Sequence, residues 1–331
     1  MTAPVRTPTL LEVKDLSIAY GPGILLVHDL SFSIARGETV GLVGESGCGK
    51  SLSALAVMGL LSDNLRTAGG SIAFEGVDVT SLPPKALRQL RGNRMGMIFQ
   101  EPLTALNPVM TIGTQIIEVL RAHRSISRAD SERRAIELLE LVRIPDAAAR
   151  LREYPHRLSG GMRQRVVIAM AIACNPALLI ADEPTTALDV TIQAQILELL
   201  KSLQRDHSLG LLLITHDLGV VRQIADRIIV MYAGTIVEEG QVDVVLGSPR
   251  HPYTAGLLAA RPHGSYSVTG HRLADIQGAV PAPGDRPPGC LFEPRCGQAL
   301  PRCSSEPPQL TPLSADRAVR CYNPVAERTH D

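Results

Sequence analysis

The sequence lacks an excess of charge of either sign. Its 33 lysines and arginines equal its 33 aspartates and glutamates in number. A protein that binds nucleic acid through the phosphates needs a positive surface field, which this composition does not supply overall. We therefore expect no nucleic acid as the main partner. The hydrophobic fraction of 45% and the charged fraction of 20% are typical of an ordinary globular protein.

Long apolar runs are also lacking. No stretch approaches the ~20 consecutive apolar residues that a membrane-spanning helix needs. The first residues, MTAPVRTPTLLEVKD, lack the apolar segment of a secretory signal peptide. We therefore expect a cytoplasmic protein that meets a membrane only through partner subunits.

Cysteine is scarce, and its six residues are too few and too unevenly placed for a secreted disulfide scaffold. Four of them crowd the C-terminal end of the chain with the spacing C-x₅-C-x₆-C-x₁₇-C. Four thiolates can hold a tetrahedral Zn²⁺ ion or an iron–sulfur cluster. The lack of a C-x₂-C or C-x₄-C pair disfavours structural zinc, and four reduced thiols are the remaining alternative. These residues are Cys290, Cys296, Cys303 and Cys321.

Short apolar runs alternate with helical patterns, which indicates a mixed sheet covered by helices. Residues 113–156 are helical and more polar. The segment 281–308 contains eight prolines and does not continue the sheet. We predict an α/β domain over residues 1–248, with a helical subdomain at about 101–165, and a small irregular extension over 249–331. The predicted strands are 11–20, 26–34, 38–44, 71–75, 95–99, 178–182, 211–215 and 227–232.

The stretch GESGCGKS, residues 44–51, fits the phosphate-loop pattern G-x-x-x-x-G-K-S/T between a predicted strand and a predicted helix at 49–61. Glycines let backbone N–H groups converge on phosphates, and the helix N-terminus adds about half a positive charge. Lys50 supplies a cation for the β- and γ-phosphates, and the Ser51 hydroxyl can ligate Mg²⁺. A glycine turn with an incidental lysine does not explain this strand–loop–helix context. The predicted nucleotide ligands are Gly44, Ser46, Gly47, Cys48, Gly49, Lys50, Ser51 and Leu52.

Paired carboxylates end another apolar strand, in ALLIADEP. Asp182 at the strand tip is placed to hold the Mg²⁺ shell, and Glu183 is placed to polarise an attacking water as general base. His216 ends the apolar strand in LLLITHD, where it can contact the γ-phosphate and orient the water. Alone, two such acids more often form a solvated turn and a lone histidine is more often structural. Together with the phosphate loop, a catalytic role for these residues is the favoured interpretation.

A second arrangement suited to a phosphate lies in LSGGMRQRVVIAMAIA, whose apolar residues follow the i, i+3, i+4, i+7 spacing of a helix. Ser159 suits the N-cap, and Gly160 and Gly161 leave the first amides open to an anion. A glycine inside a helix costs ~1 kcal/mol relative to alanine. A simple capped helix therefore explains the serine but not both glycines.

Over about residues 9–245 these motifs resemble the ATP-binding cassette (ABC) ATPases, and LSGGMRQ is similar to their signature motif. Tyr20 matches the aromatic residue that stacks on adenine, and His216 matches the switch histidine. Gln100 matches the Q-loop residue that reaches Mg²⁺ and the water, and Asp189 matches the D-loop. The resemblance implies an α/β fold with a mixed sheet core, an antiparallel β subdomain and a helical subdomain, which hydrolyses MgATP.

By the same resemblance, two cassettes pair head to tail and each ATP lies between one phosphate loop and the other subunit's signature helix. The chain carries one cassette, so a second ATPase polypeptide, forming a heterodimer, is expected. The region after Gln100, EPLTALNPVMTIG, is expected to meet two transmembrane permease subunits at the cytoplasmic face of the membrane. The signature residues expected to serve the partner's ATP site are Ser159, Gly160, Gly161 and Gln164.

The extension, with HPYTAGLLAA and IQGAVPAPGDRPPGCLFEPRC, resembles that of the ATP-binding subunits of dipeptide and oligopeptide importers. This implies uptake of short peptides delivered by an extracytoplasmic binding protein, with nickel, glutathione or other small cargo as the alternative. Some members hold a 4Fe–4S cluster in this tail, which we rank ahead of zinc and bare thiols. A non-transport ABC ATPase acting on DNA or ribosomes is the rival, but the chain lacks its coiled coils, zinc insertions or second cassette.

Overall fold

The computed structural model describes residues 9–186, 188–260 and 276–326. The strands are β1 (Thr9–Tyr20), β2 (Ile24–Ala35), β3 (Thr39–Val43), β4 (Leu65–Phe74), β5 (Val77–Asp78), β6 (Met95–Ile98), β7 (Leu178–Asp182), β8 (Gly210–Thr215), β9 (Arg227–Tyr232), β10 (Thr235–Gln241), β11 (Thr311–Ser314) and β12 (Arg317–Val319). The α-helices are α1 (Lys50–Val57), α2 (Pro84–Leu90), α3 (Pro102–Ala105), α4 (Ile112–His123), α5 (Arg128–Leu141), α6 (Ala147–Arg150), α7 (Gly160–Ile172), α8 (Val190–His207), α9 (Leu218–Ile224), α10 (Val242–Gly247) and α11 (Pro252–Ala259). None of these helices combines the length and the apolarity needed to cross a bilayer.

Two sheets organise the chain. An antiparallel sheet has the strand order β2-β1-β4-β5, and a mixed sheet has the order β11-β12-β10-β9-β3-β8-β7-β6. In the mixed sheet the strands from β9 to β6 run parallel, whereas β10, β12 and β11 pair antiparallel at the other side. The predicted α/β class, with its mixed core and antiparallel subdomain, is confirmed.

The parallel strands read as continuous apolar runs because both faces of the sheet are covered. Leu178 and Ile180 of β7 face a core shared with α1 and the antiparallel sheet. Leu179 and Ala181 face the other core, which is shared with the helices α4, α5, α7, α8 and α9. Successive side chains of a strand point to opposite faces, so a strand between two cores needs an apolar residue at every position.

Most predicted strands match the structure closely, and 178–182 and 227–232 coincide with β7 and β9. The predicted hairpin at 11–20 and 26–34 is β1 paired antiparallel with β2. The predicted helix at 49–61 ends earlier, at Val57. Residues 281–308, all described, contain no strand, as expected. The strands β10, β11 and β12 were not predicted.

The extension is joined to the mixed sheet, because β12 pairs with β10 from Glu238–Val319 to Gly240–Arg317. Glu238 is fully buried, and its carboxylate accepts hydrogen bonds from the backbone N–H groups of Arg250 and His251, both at 2.9 Å. The Arg317 guanidinium donates to the same carboxylate at 2.7 Å. One buried charge thus ties the start and the end of the extension to β10. The boundary near residue 248 stays a prediction.

Arg317→Met should destabilise the fold by about 3–5 kcal/mol, because it leaves the buried Glu238 carboxylate without its counter-charge. Thermal and denaturant unfolding measure the effect. The matched control is Arg133→Met, since the Arg133 side chain is 69% exposed in its pair with Asp130 and exposed pairs contribute ~0–1 kcal/mol. Equal stability of the two variants would show that Glu238 does not depend on Arg317.

Candidate nucleotide site

The carboxyl ends of the parallel strands meet at one edge of the mixed sheet. β3 is in register with β8 at Val43 and Thr215, and β8 is in register with β7 at Ile214 and Asp182. The segments that follow these strands therefore lie side by side, although they come from distant parts of the chain. This edge carries the phosphate loop, the paired carboxylates and the predicted switch histidine.

The phosphate loop follows β3 and leads into α1. The Lys50 ammonium donates to the carbonyl oxygens of Gly44 at 2.8 Å and Glu45 at 3.0 Å, so it lies inside the curve of the loop. Gly49 has φ +103°, and a Cβ on Gly44 would lie 2.2 Å from the Met231 carbonyl oxygen. Glycine is needed at both positions, one for its backbone angle and one for close contact.

The other predicted residues of the phosphate loop differ in how exposed they are to solvent. Ser46 and Gly47 are exposed at the tip, where a phosphate can reach their backbone N–H groups. Cys48 is buried, and burial raises the pKa of its thiol despite the nearby Lys50 charge. Leu52 packs half-buried against the core beneath the antiparallel sheet. Cys48 and Leu52 therefore shape the loop through packing and backbone rather than through side-chain contacts to a nucleotide.

Ser51 and Asp182 form an oxygen pair suited to Mg²⁺. The Ser51 hydroxyl donates to Asp182 Oδ1 at 3.1 Å, although the residues come from different strand ends. Burial raises the pKa of Asp182, and the Ser51 hydrogen bond opposes that shift. Mg²⁺ prefers hard oxygen ligands and keeps several waters, so a carboxylate and a hydroxyl at this edge fit it.

Three side chains converge on the Glu183 carboxylate. Thr186 Oγ1 donates to Oε2 at 2.8 Å, and Gln100 Nε2 donates to the same oxygen at 3.2 Å. His216 Nδ1 lies 3.2 Å from Oε1. The structure thus brings together the three predicted catalytic residues Glu183, Gln100 and His216. Thr186 was not predicted, although it is the second residue after the DEP sequence.

Glu183 is held in an unusual backbone conformation with φ +47°. Its N–H donates to the Ile214 carbonyl oxygen at 2.9 Å, which ties it to β8. Burial acts to raise the pKa of the carboxyl, but the hydrogen bonds from Thr186 and His216 and the charges of His216 and Lys50 outweigh it, so the pKa is lowered. A non-glycine residue in this region costs of order 1–3 kcal/mol and persists where the surroundings over-determine it. The carboxylate is therefore ionised and fixed in direction, as a general base requires.

Tyr20 is the last residue of β1, where it pairs with Ile24 and Leu65, and its ring is 48% exposed. An exposed ring at a strand end is available for stacking on a nucleobase. No contact in the described part of the chain joins its ring to another aromatic side chain. The position is consistent with the predicted adenine platform.

The signature stretch begins α7, with Ser159 at the N-cap accepting from the Met162 N–H at 3.3 Å. The two glycines differ in their surroundings. A Cβ on Gly161 would lie 2.7 Å from Ile192 Cγ2, whereas a Cβ on Gly160 would meet only Leu188, at 3.9 Å. Packing against α8 therefore explains the glycine at position 161. It does not explain the glycine at position 160, which has space for a side chain.

Gln164 and Asp189 are the remaining residues predicted for this second surface. The Gln164 side chain is 1% exposed, and its two amide atoms have no partner within the described residues. The Gln164 side chain is buried on the inward face of α7. The predicted contact to a nucleotide is therefore not available in this conformation. Asp189 caps α8 by accepting from the Ile192 N–H at 2.9 Å, beside Val190, which is 84% exposed.

The phosphate loop also has contacts from the extension that were not predicted. The N–H of Glu45 donates to the Tyr253 hydroxyl at 2.8 Å. The Arg295 guanidinium binds the Glu45 carboxylate through two bonds, at 2.7 and 3.0 Å. Since 208 and 250 residues separate these partners, local sequence patterns do not reveal them.

The four C-terminal cysteines line one small pocket in the extension. Backbone N–H groups of Leu300 and Asn323 donate to Cys303 Sγ and Cys321 Sγ, both at 3.4 Å. Burial, reinforced by the other three cysteines, raises the pKa of Cys321 to about 11, and burial also raises the pKa of Cys290 and Cys296. Within the described residues no three His, Cys, Asp or Glu side chains are arranged to hold a metal ion.

Comparisons with known proteins identify the family. Residues 27–186 match the ABC transporter family, and residues 237–303 match the family described as oligopeptide/dipeptide transporter, C-terminal region. The dipeptide transport ATP-binding protein DppD of Escherichia coli is 50% identical over 319 residues, 96% of this chain and 97% of that one. The chain belongs to the ABC transporter ATP-binding proteins. It is an ABC ATPase, and the predicted family and enzyme class are confirmed.

Other relatives and solved structures agree with this family. The oligopeptide transport ATP-binding protein AppD of Bacillus subtilis is 51% identical to the ABC ATPase over 318 residues, 95% of this chain and 96% of that one. The dimeric cassette MJ0796 bound to ADP and Pi superimposes with a TM-score of 0.64 at 28% identity, over 70% of this chain and 98% of that one. The cbiO1 protein from Clostridium perfringens gives a TM-score of 0.63 at 25% identity, over 72% and 91%.

Glu183→Gln should lower the turnover of ATP by about 10²–10⁴-fold, because it removes a general base while keeping the shape of the side chain. ATP binding should be retained, so the variant should hold nucleotide without hydrolysing it. The control is Glu198→Gln on the exposed face of α8. Phosphate release and ATP retention by the assembled complex measure both effects, and near-normal turnover by Glu183→Gln would contradict the assigned role.

Proposed function

We propose that this ABC ATPase hydrolyses MgATP to energise the uptake of dipeptides and oligopeptides across a membrane. The observation that carries the proposal is that both parts of the chain are similar to peptide transport proteins. Relatives named for dipeptide and oligopeptide transport match at about half identity over nearly the whole chain, and the extension matches the oligopeptide/dipeptide region separately.

The residues at the sheet edge have distinct roles in the hydrolysis. The phosphate loop binds the phosphates through its backbone N–H groups, and Lys50 moves from the loop carbonyls to the β- and γ-phosphates. Glu183 accepts a proton from the attacking water. Gln100 and His216, already bonded to that carboxylate, orient the water and sense the γ-phosphate. Tyr20 stacks on the adenine.

Ser51 and Asp182 would hold Mg²⁺, with Gln100 reaching the same shell. The ion, when bound, neutralises charge on the β- and γ-phosphates. The Ser51 hydroxyl and the Asp182 carboxylate already lie 3.1 Å apart, which supports this assignment. Their convergence also means that binding requires little rearrangement of the protein chain.

The signature surface would complete the ATP site of a second ATPase subunit. Ser159, Gly160 and Asp189 are exposed, and no hydrogen bond in the described part joins them to this chain's own phosphate loop. The open surroundings of Gly160, whose Cβ would meet only Leu188 at 3.9 Å, support a partner at this surface. A different chain is favoured over a second copy, and the pair would be a heterodimer.

The remaining partners follow from the importer role. Two permease subunits would carry the peptide through the membrane, and an extracytoplasmic binding protein would select it. The ABC ATPase would sit at the cytoplasmic face, attached through the permeases. The half-buried and exposed residues of α3 and the loop after Gln100 would form the contact.

We further propose that Cys290, Cys296, Cys303 and Cys321, which line one pocket but are not arranged around a metal in this conformation, close around a structural 4Fe–4S cluster. Their common pocket and the N–H groups directed at two of the sulfurs support it, since thiolates bound to iron are stabilised by such donors. A short segment rich in proline also needs a staple beyond its small core. Iron and sulfide analysis after anaerobic purification separates this site from zinc and from free thiols.

A complex reconstituted with the permeases and the binding protein should show ATPase activity that peptide-loaded binding protein stimulates several-fold. The reason is that cargo delivery favours closure of the two cassettes. Ni²⁺ and reduced glutathione, tested in the same way, serve as the competing cargoes. Stimulation by one of these alone would replace the peptide assignment, and co-purification with ribosomes or DNA in place of permeases would refute the importer role.

Gly160→Asp should leave ATP affinity of the isolated chain unchanged, because the added side chain enters open space and an acid is favourable in the first turn of a helix. In the assembled complex it should lower ATPase activity by about 100-fold or more, because its charge would face the partner's ATP. The control is Gly247→Asp, an exposed glycine with equally open surroundings. Normal activity of the Gly160→Asp complex would exclude the shared site.

A further inference from the structure

We propose that Arg295 and Tyr253, both from the C-terminal extension, are positioning residues for the phosphate loop, and that Arg295 also neutralises a carboxylate that would otherwise repel ATP. The proposal rests on the nucleotide site described above. It assigns the extension a role in ATP binding by this chain itself. The group through which both residues act is Glu45, the second residue of the loop.

Glu45 is held at three points. Its N–H donates to Tyr253 Oη at 2.8 Å, its carbonyl oxygen accepts from Lys50 at 3.0 Å, and its carboxylate forms the double contact with Arg295. When Lys50 turns to the phosphates, the carbonyl keeps only the longer hydrogen bond from the Cys48 N–H, at 3.3 Å. The two contacts from the extension then keep this turn of the loop in place.

Hydrogen bonds to groups other than Glu45 also hold the Arg295 side chain in place. It donates to the carbonyl oxygens of Ile276 and Gln277, both at 3.0 Å, and to the Tyr232 hydroxyl at 3.4 Å. Only 4% of its side chain is exposed. Because the fork is planar and already oriented, the two bonds to the carboxylate lose little conformational freedom when they form.

Tyr253 is fixed by aromatic packing. It is fully buried, and its ring contacts Tyr232 and Phe292 with centroid distances of 4.7 and 5.5 Å. Burial raises the pKa of its phenol, so the hydroxyl is neutral and can accept the Glu45 N–H. Because the ring is held by this packing, the Tyr253 hydroxyl fixes the position of the loop backbone at Glu45.

The charge of Glu45 explains why a cation is needed here. The loop binds a highly negative triphosphate, and Glu45 directly follows Gly44 at its start. A half-buried carboxylate so close to the phosphates opposes their binding through an interaction that water screens only in part. Arg295 cancels that charge, and only this arginine forms an ion pair with Glu45 within the described residues.

The pair is not required to attach the extension. The buried Glu238–Arg317 contact and the β10–β12 pairing already join the extension to the sheet. Removal of the Arg295 charge should therefore affect nucleotide affinity more than it affects docking of the extension. This separation makes the proposal testable.

The test measures equilibrium binding of ATP by the full-length chain at low and high salt, with thermal unfolding in parallel. Arg295→Met should weaken ATP binding about tenfold at low salt and less at high salt. Glu45→Gln removes the charge but keeps an amide oxygen that can accept from the Arg295 guanidinium. The loop therefore stays in position, and the variant should bind ATP as tightly as the wild type or more tightly. The double variant Glu45→Gln with Arg295→Met should recover most of the lost affinity, because no uncompensated carboxylate is left.

Arg302→Met is the matched control, since Arg302 lies exposed in the same extension and stacks on Tyr322 at 3.8 Å. It should leave ATP affinity unchanged. The proposal is overturned if Arg295→Met binds ATP normally, or if the double variant binds no better than Arg295→Met. If Arg295→Met does not fold, weaker ATP binding by Glu45→Gln also overturns it. Failure of the wild type to bind ATP, with Lys50→Ala no different, would instead refute the nucleotide site itself.

Discussion

Parallel pairing of β3, β8 and β7 is the constraint on which the rest of the molecule depends. It brings the phosphate loop, the Asp182–Glu183 pair and His216 to one edge of the sheet from distant parts of the chain. Both faces of these strands are buried, so charged groups are accommodated at the strand ends rather than along the strands. The site of ATP chemistry is thus a consequence of how the core is covered.

The same physics separates two kinds of phosphate-binding surface. At the sheet edge, Lys50 and Glu183 are already engaged by their neighbours, and the group is assembled within one chain. At the start of α7 Ser159 and Gly160 are exposed, and within the described residues no carboxylate accepts a hydrogen bond from the first turn. Gly161 is occupied in packing against Ile192, whereas Gly160 faces open space. In the proposed shared site, a second polypeptide would complete this surface.

The C-terminal extension contacts both the mixed sheet and the phosphate loop. Its attachment uses a fully buried carboxylate, Glu238, which is tolerated because two backbone N–H groups and Arg317 satisfy it. From that anchor, Tyr253 and Arg295 reach back to the phosphate loop. The pocket of four cysteines lies next to the residues that make this contact, since Arg295 directly precedes Cys296.

The sequence by itself determined the α/β class, most strand positions and the phosphate loop, because these depend on local patterns of apolar and glycine residues. The catalytic roles of Glu183 and His216 were predicted from their places at strand ends together with the resemblance to the ABC ATPases, and that of Gln100 from the resemblance alone. Only the tertiary structure decided which groups surround them. β10 carries two glutamates and does not resemble a buried strand until Arg317 is placed against it. The contacts to Glu45, like the burial of Gln164, depend on partners far away in the chain or on helix packing, and neither leaves a periodic signal in the sequence.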